Sequence, residues 1–118
     1  MTLQELTGKY AITGTNQDAE SNTYKGVLDL SINANNRIEA KWLINQNQEL
    51  FGNGFFKDNI LVINFNYKSD NTIFKGVVVY KCISKNILDG FWSEKHGDPR
   101  YLGEERCYRM DSLKEMLN

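Results

Sequence analysis

The chain has 118 residues, 41% of them hydrophobic and 25% charged, with a single proline, a composition that excludes a disordered or low-complexity protein. That length buries a core of its own, so residues 1–118 are expected to form a single domain. Lys and Arg number 14 against 15 Asp and Glu, for a net charge of -1 with no basic run, which argues against nucleic acid as a partner.

Residues 1–5 read as a lead-in with room for one helical turn. A first strand is predicted from about Leu6 to Thr13, with Leu6, Gly8, Tyr10 and Ile12 on one face. The polar stretch from Gly14 to Thr23 reads as a loop. The second strand, Tyr24 to Ile32, turns Gly26, Leu28, Leu30 and Ile32 inward, and the asparagines from Asn33 to Asn36 suit a tight turn because Asn tolerates positive φ. Ile38, Ala40, Trp42 and Ile44 form the inner face of a third strand from Arg37, and Gly52 and Gly54 mark a bend in a fourth from Glu49 to Phe56.

The fifth strand, Ile60 to Tyr67, points Leu61, Ile63, Phe65 and Tyr67 one way. The sixth, Phe74 to Cys82, sends Phe74, Gly76, Val78, Tyr80 and Cys82 inward and leaves Val77 and Val79 outside. Ile87 to Ser93 makes the seventh, with Leu88, Gly90 and Trp92 inward, and about Tyr101 to Met110 the eighth. Asp111 is an N-cap candidate before Leu113, Met116 and Leu117 at helical spacing, so a short C-terminal helix is expected over about 111–117.

Two stretches echo each other at an offset of 50 residues: Tyr24-Lys25-Gly26-Val27-Leu28 and Phe74-Lys75-Gly76-Val77-Val78, followed by strands ending in Trp42 and Trp92. The strands therefore read as two similar four-strand halves of an all-β, eight-stranded, antiparallel up-and-down barrel. Closure removes exposed edges, and at this size the interior is filled by side chains or holds one small ligand. Cys82 and Cys107 fall two strands apart, near 10 Å at about 4.8 Å per strand, too far for a disulfide. Free thiols point to a reducing compartment. No apolar run approaches the roughly 18 to 20 residues of a spanning helix, and Met1-Thr2-Leu3-Gln4-Glu5-Leu6 lacks the basic start and apolar core of an export signal. A cytoplasmic protein with no membrane partner is expected, a removed leader being the alternative.

The pattern resembles the calycin group of barrels, the lipocalins and avidins. Those families open with Gly-x-Trp on the first strand, and an Arg from the last strand packs across the Trp to close the barrel floor. Leu6-Thr7-Gly8-Lys9-Tyr10 stands in that position, with Tyr10 where the family has Trp, and Arg106 or Arg109 could be the covering Arg. The resemblance implies a barrel whose mouth binds a small molecule. It carries over no biotin-binding residues, because no matching motif is present.

Trp42 and Trp92 face inward with Tyr10, Phe65, Phe74 and Tyr80, either as walls of an apolar pocket or as filling. On the last strand Leu102, Glu104, Arg106 and Tyr108 share one face and Gly103, Glu105, Cys107 and Arg109 the other, so either choice sends charge into the barrel. Arg106 could pair with Glu104, close the floor, or fix the polar end of a ligand. Glu94, His96 and Asp98 alternate and could hold a metal or make His96 a base, but Gly97 and Pro99 mark a mobile turn and no second His completes a site. No Ser-His-Asp order, phosphate-binding glycine loop or Cys-x-x-Cys occurs, so no catalytic residue, metal or cofactor is assigned. Outside, Val62, Val77, Val79 and Phe91, with Leu43, offer an apolar patch for a protein partner or a second copy of the chain, unless the C-terminal helix covers it. The reading that results is a non-enzymatic binding protein for a small, largely apolar ligand, contacted by Trp42, Trp92, Tyr10, Phe65, Tyr80 and Arg106. The alternative is an interaction or self-assembly module working through Val77, Val79 and Phe91.

Overall fold

Alternation over short segments builds a wall, because each residue that faces in is followed by one that faces out. In the computed structural model, which describes residues 1–111, the wall comprises β1 (Gly8–Thr15), β2 (Thr23–Ile32), β3 (Ile38–Ile44), β4 (Gln48–Lys57), β5 (Ile60–Ser69), β6 (Thr72–Ser84), β7 (Ile87–Glu94) and β8 (Gly103–Arg109). Each strand pairs antiparallel with the next and β8 returns to β1, giving the expected closed up-and-down barrel of eight strands.

The short turns follow from their chemistry. Asn45-Gln46, Asp58-Asn59 and Asp70-Asn71 all have positive φ, which Asn and Asp adopt more readily than other side-chain-bearing residues. Between β2 and β3 the Asn33 side chain accepts from the amides of Asn35 (2.9 Å) and Arg37 (3.1 Å). The first strand starts later than its alternation predicts. Leu6 belongs to a 3-10 turn over Gln4–Leu6, where Thr2 and Glu5 exchange hydrogen bonds, and β1 runs on to Thr15. Among the described residues this turn is the helical element with defined bounds. The C-terminal helix expected over about 111–117 lies outside the described residues apart from Asp111.

The barrel has two unlike ends. At one, the 3-10 turn folds across the opening and Leu6, Tyr10, Ile38, Leu61, Leu88 and Cys107 are wholly buried. Complete burial of each such aliphatic side chain stabilises by ~1.5–3 kcal/mol, so this end is the packed core. At the other, the loops after β1, β3, β5 and β7 surround a mouth lined with aromatic rings. Cys82 and Cys107 are both free and buried, two strands apart as expected. Burial pushes the Cys82 thiol up to about 11 and that of Cys107 upward as well, so both stay protonated and unreactive.

Candidate functional site

The inner face of β8 decides the chemistry of both ends. Gly103, Glu105, Cys107 and Arg109 point in, while Glu104 and Arg106 point out. Arg106 therefore does not reach the interior, and its guanidinium lies 5.7 Å from the ring centre of Tyr108 on the outer surface. Arg109 takes the closing role, its guanidinium 4.8 Å from the Tyr10 ring centre. It donates to the carbonyls of Glu5 (2.6 Å), Thr7 (2.8 Å) and Lys85 (2.8 Å) and to the Tyr10 hydroxyl (2.7 Å). The Tyr10 hydroxyl in turn donates to the Leu6 carbonyl at 2.8 Å, and its pKa is pushed up to about 12, chiefly by burial. Tyr10 thus lies in the floor, away from the mouth. Gly8 makes room for this clamp: its φ is +130°, and a Cβ there would sit 2.6 Å from Arg109 Nη1.

At the mouth a cavity of about 130 Å³ remains between the rings. Phe65 stands between the two tryptophans, edge-on to each, with ring centres 6.2 Å from Trp42 and 6.2 Å from Trp92. Ile44, Leu50, Val78 and Tyr24 add to the wall, and Asn16, Gln48, Glu94 and Glu105 are polar members of the lining. Trp42, Trp92 and Phe65 are therefore brought together as the sequence implies. Tyr80 is wholly buried, outside the lining, and supports Trp42 by accepting its indole N–H at 3.2 Å. Trp92 makes the matching bond to the Tyr24 hydroxyl at 3.0 Å. Phe74 sits farther out at the rim, stacked on Tyr67 with ring centres 5.1 Å apart.

One cross-strand row explains how Glu105 is placed. Tyr24 on β2 pairs with Gly14 on β1, Gly14 with Glu105 on β8, Glu105 with Gly90 on β7, and Gly90 with Tyr80 on β6. The two glycines give way to the flanking rings: a Cβ on Gly14 would meet Tyr24 at 2.3 Å, and one on Gly90 would meet Tyr80 at 2.6 Å. Both tyrosines consequently lean over a bare stretch of strand toward the carboxyl, and Trp42 approaches it too. Glu105 is 5% exposed, and its Oε1 has no hydrogen-bond partner among the described residues. Burial pushes its pKa up to about 7, with Tyr80, Tyr24 and Trp42 pulling the other way. Burial, with the Glu105 charge second, drives Tyr24 and Tyr80 upward, so both hydroxyls stay neutral donors.

The loop after β7 is fastened in place, contrary to the mobile turn its Gly97 and Pro99 suggest. Gln17, from the loop after β1, donates to Ser93 Oγ (2.9 Å) and to the carbonyls of Tyr101 (2.9 Å) and Asp98 (3.2 Å), and accepts from the Glu94 amide (3.0 Å). The Glu94, His96 and Asp98 triplet is split apart. Glu94 turns into the mouth and accepts from the Tyr67 hydroxyl, Asp98 pairs with Arg100 at 2.8 Å, and His96 is exposed. Among the described residues no group of three metal-ligating side chains forms.

Glu105 and Tyr24 are the residues that sequence reasoning passed over. A signal was available. It belongs to Tyr24, which shares the parity of Gly26 and Leu28, whereas each face of β8 carries one Glu and one Arg, so nothing within that strand marks Glu105.

On the outer wall Phe55, Val62, Val79 and Phe91 lie side by side across β4, β5, β6 and β7, with Phe55 54% and Phe91 48% exposed. Val77 continues this patch along β6, but Leu43 pairs with Val27 and Glu49 on other strands.

Fold and cavity define the class: a closed eight-stranded barrel with one sealed and one open end. Solved structures share that fold. A redesigned beta barrel, mFAP0, bound to DFHBI, matches with a TM-score of 0.70 and 19% identity over 90% of this chain and 100% of its own. A second, mFAP1, also bound to DFHBI, matches with a TM-score of 0.71 and 19% identity over 91% and 97%. The redesigned barrel b11L5F_LGL matches with a TM-score of 0.67 and 15% identity over 92% and 94%. At these identities the likeness is one of fold. No family model and no curated protein matches the chain.

Proposed function

We propose that this barrel is a non-catalytic binding protein that takes a small, largely apolar molecule at its open end, against Trp42, Phe65 and Trp92. The observation that carries the reading is the contrast in packing. Side chains fill the sealed end, whereas the same wall leaves about 130 Å³ beneath three aromatic rings at the mouth. A cavity of ~150 Å³ admits a benzene-sized molecule, so the ligand has about one ring. Two of the barrels that share the fold are bound to DFHBI, which supports a binding role over a catalytic one. The reading is tested by intrinsic tryptophan fluorescence during titration with single-ring aromatic compounds. Saturable quenching that is lost in folded Trp42→Leu and Trp92→Leu variants is the expected result, and a flat response across the panel removes the proposal.

The exposed row Phe55, Val62, Val79 and Phe91 favours a second reading, in which two copies of the chain pair through this face. The row is uncharged and crosses four strands in register, so a two-fold pair would match it against itself. Sedimentation of wild type and Phe91→Lys tests it: a dimer that the substitution turns monomeric supports pairing, and a monomeric wild type at high concentration removes it. A cytoplasmic location belongs to the same proposal, supported by the two free thiols.

A further inference from the structure

This inference rests on the open-end reading above and names the ligand's chemistry. We propose that the ligand is a small ring-bearing amine whose ammonium group docks on Glu105 Oε1 while its ring lies against Trp42, Phe65 and Trp92. Three observations converge on that class. Glu105 lines the cavity though it is only 5% exposed, and its Oε1 has no hydrogen-bond partner among the described residues. Leaving such an atom unpaired is costly, so the site favours a further donor beyond the tyrosine hydroxyls that face the carboxyl.

The lining also has a sign. Among the described residues it contains two carboxyl groups, Glu94 and Glu105, and no Lys, Arg or His, while the nearest arginines of β8 are committed elsewhere, Arg106 outside and Arg109 in the floor. Glu94 already accepts from Tyr67, which leaves Glu105 as the acceptor deep in the site. The walls, finally, include the rings of Tyr24, Trp42, Phe65, Tyr67 and Trp92, whose faces attract a cation when water is excluded. A neutral ring satisfies the walls but not Oε1, and an anion is repelled by both carboxylates.

The supporting groups keep the carboxylate ready. Each tyrosine hydroxyl oxygen accepts an indole N–H, Tyr80 from Trp42 and Tyr24 from Trp92, so its own proton is free to face Glu105. The titratable groups around the carboxyl are Tyr24 on β2, Tyr80 on β6 and Cys107 on β8, with Tyr67 on β5 and Glu94 on β7 farther out in the lining. Tyr24, Tyr67, Tyr80 and Cys107 are neutral near pH 7 in this setting, each pushed further from ionisation by burial. Loss of the proton from Glu105 is therefore the event that switches the deep site to its cation-accepting form.

Benzylamine, benzyl alcohol and benzoate share a ring and differ in charge, and they are the probes. Their affinities are read by tryptophan fluorescence and calorimetry on wild type and Glu105→Gln, between pH 6 and 8. At pH 8 wild type is expected to bind benzylamine about tenfold or more tightly over benzyl alcohol, the usual gain from a charged hydrogen bond, and benzoate least. Glu105→Gln shrinks that preference to less than about threefold. In wild type the benzylamine affinity falls by up to about tenfold from pH 8 to pH 6 as Glu105 takes up its proton, which reads the same group without a substitution. Equal binding of benzylamine and benzyl alcohol, a preference for benzoate, or a preference that survives in Glu105→Gln overturns the amine assignment while leaving the open end as a ring-binding site. Absence of binding by all three overturns both.

Discussion

Arg109 and Glu105 both enter the barrel from β8, one at each end, and they are treated in opposite ways. Arg109 spends its donors on Glu5, Thr7, Lys85 and Tyr10 and lies over a ring, so the charge is consumed in closing the floor. Glu105, beside the cavity, is buried more deeply than most charged groups tolerate, yet its Oε1 has no hydrogen-bond partner among the described residues. A charge whose bonds are complete is part of the architecture. One whose bonds are incomplete marks where something else belongs.

The contrast is broken most strongly at the sealed end. Arg109→Met removes four donated hydrogen bonds and is expected to lower stability by ~3–4 kcal/mol in urea unfolding. Arg109→Lys recovers little of it, because an ammonium cannot reproduce the planar fork. A loss below ~1 kcal/mol in Arg109→Met would mean that the floor holds without its clamp.

At the open end the expected signature is a pH slope. Glu105 has a folded pKa near 7, above its unfolded value of 4.5, so the folded state binds the proton more tightly. Its contribution is fully present below pH 4.5 and is lost as pH rises toward and through 7, a fall of ~3 kcal/mol. Glu105→Gln, which cannot titrate, should lack that fall, so its stability relative to wild type grows across the window. Parallel pH profiles for the two proteins would contradict the buried carboxyl.

Much of this fold is legible without coordinates, because alternation, Asn and Asp turns and inward glycines are local signals. Leu28, Leu30, Ile63 and Val78 are buried as their parity requires. The face of β8 was not legible in the same way, since each face carries Glu and Arg, and strand parity alone is indifferent between them. What settles it is a register relation spread over five strands, with Gly14 and Gly90 flanking Glu105 so that Tyr24 and Tyr80 can reach it. Such long-range pairing leaves no mark within one strand. Leu6 departs from the expected strand for a local reason: its alternation continues that of Tyr10, but the Thr2 and Glu5 hydrogen bonds turn the chain first.

Two smaller substitutions sharpen the difference between the ends. A Cβ on Gly103 would lie 2.0 Å from Trp92 Cε2, so Gly103→Ala should push the indole toward the cavity, cost ~1–3 kcal/mol and shift the tryptophan emission. An unchanged spectrum would place Trp92 elsewhere. His96→Ala, at an exposed loop position outside the cavity lining, should change stability by less than ~0.5 kcal/mol and leave benzylamine binding as it was.

The most direct measurement is a two-dimensional proton–nitrogen NMR titration with benzylamine at pH 8. Saturable shifts are expected in the indole N–H signals of Trp42 and Trp92 and in the amides of Gly103 and Glu105, with the amides of Tyr10, Leu88 and Cys107 at the sealed end left in place. Shifts confined to the sealed end or the outer Val79 and Phe91 face, or no shifts at all, would contradict a binding site at the open end.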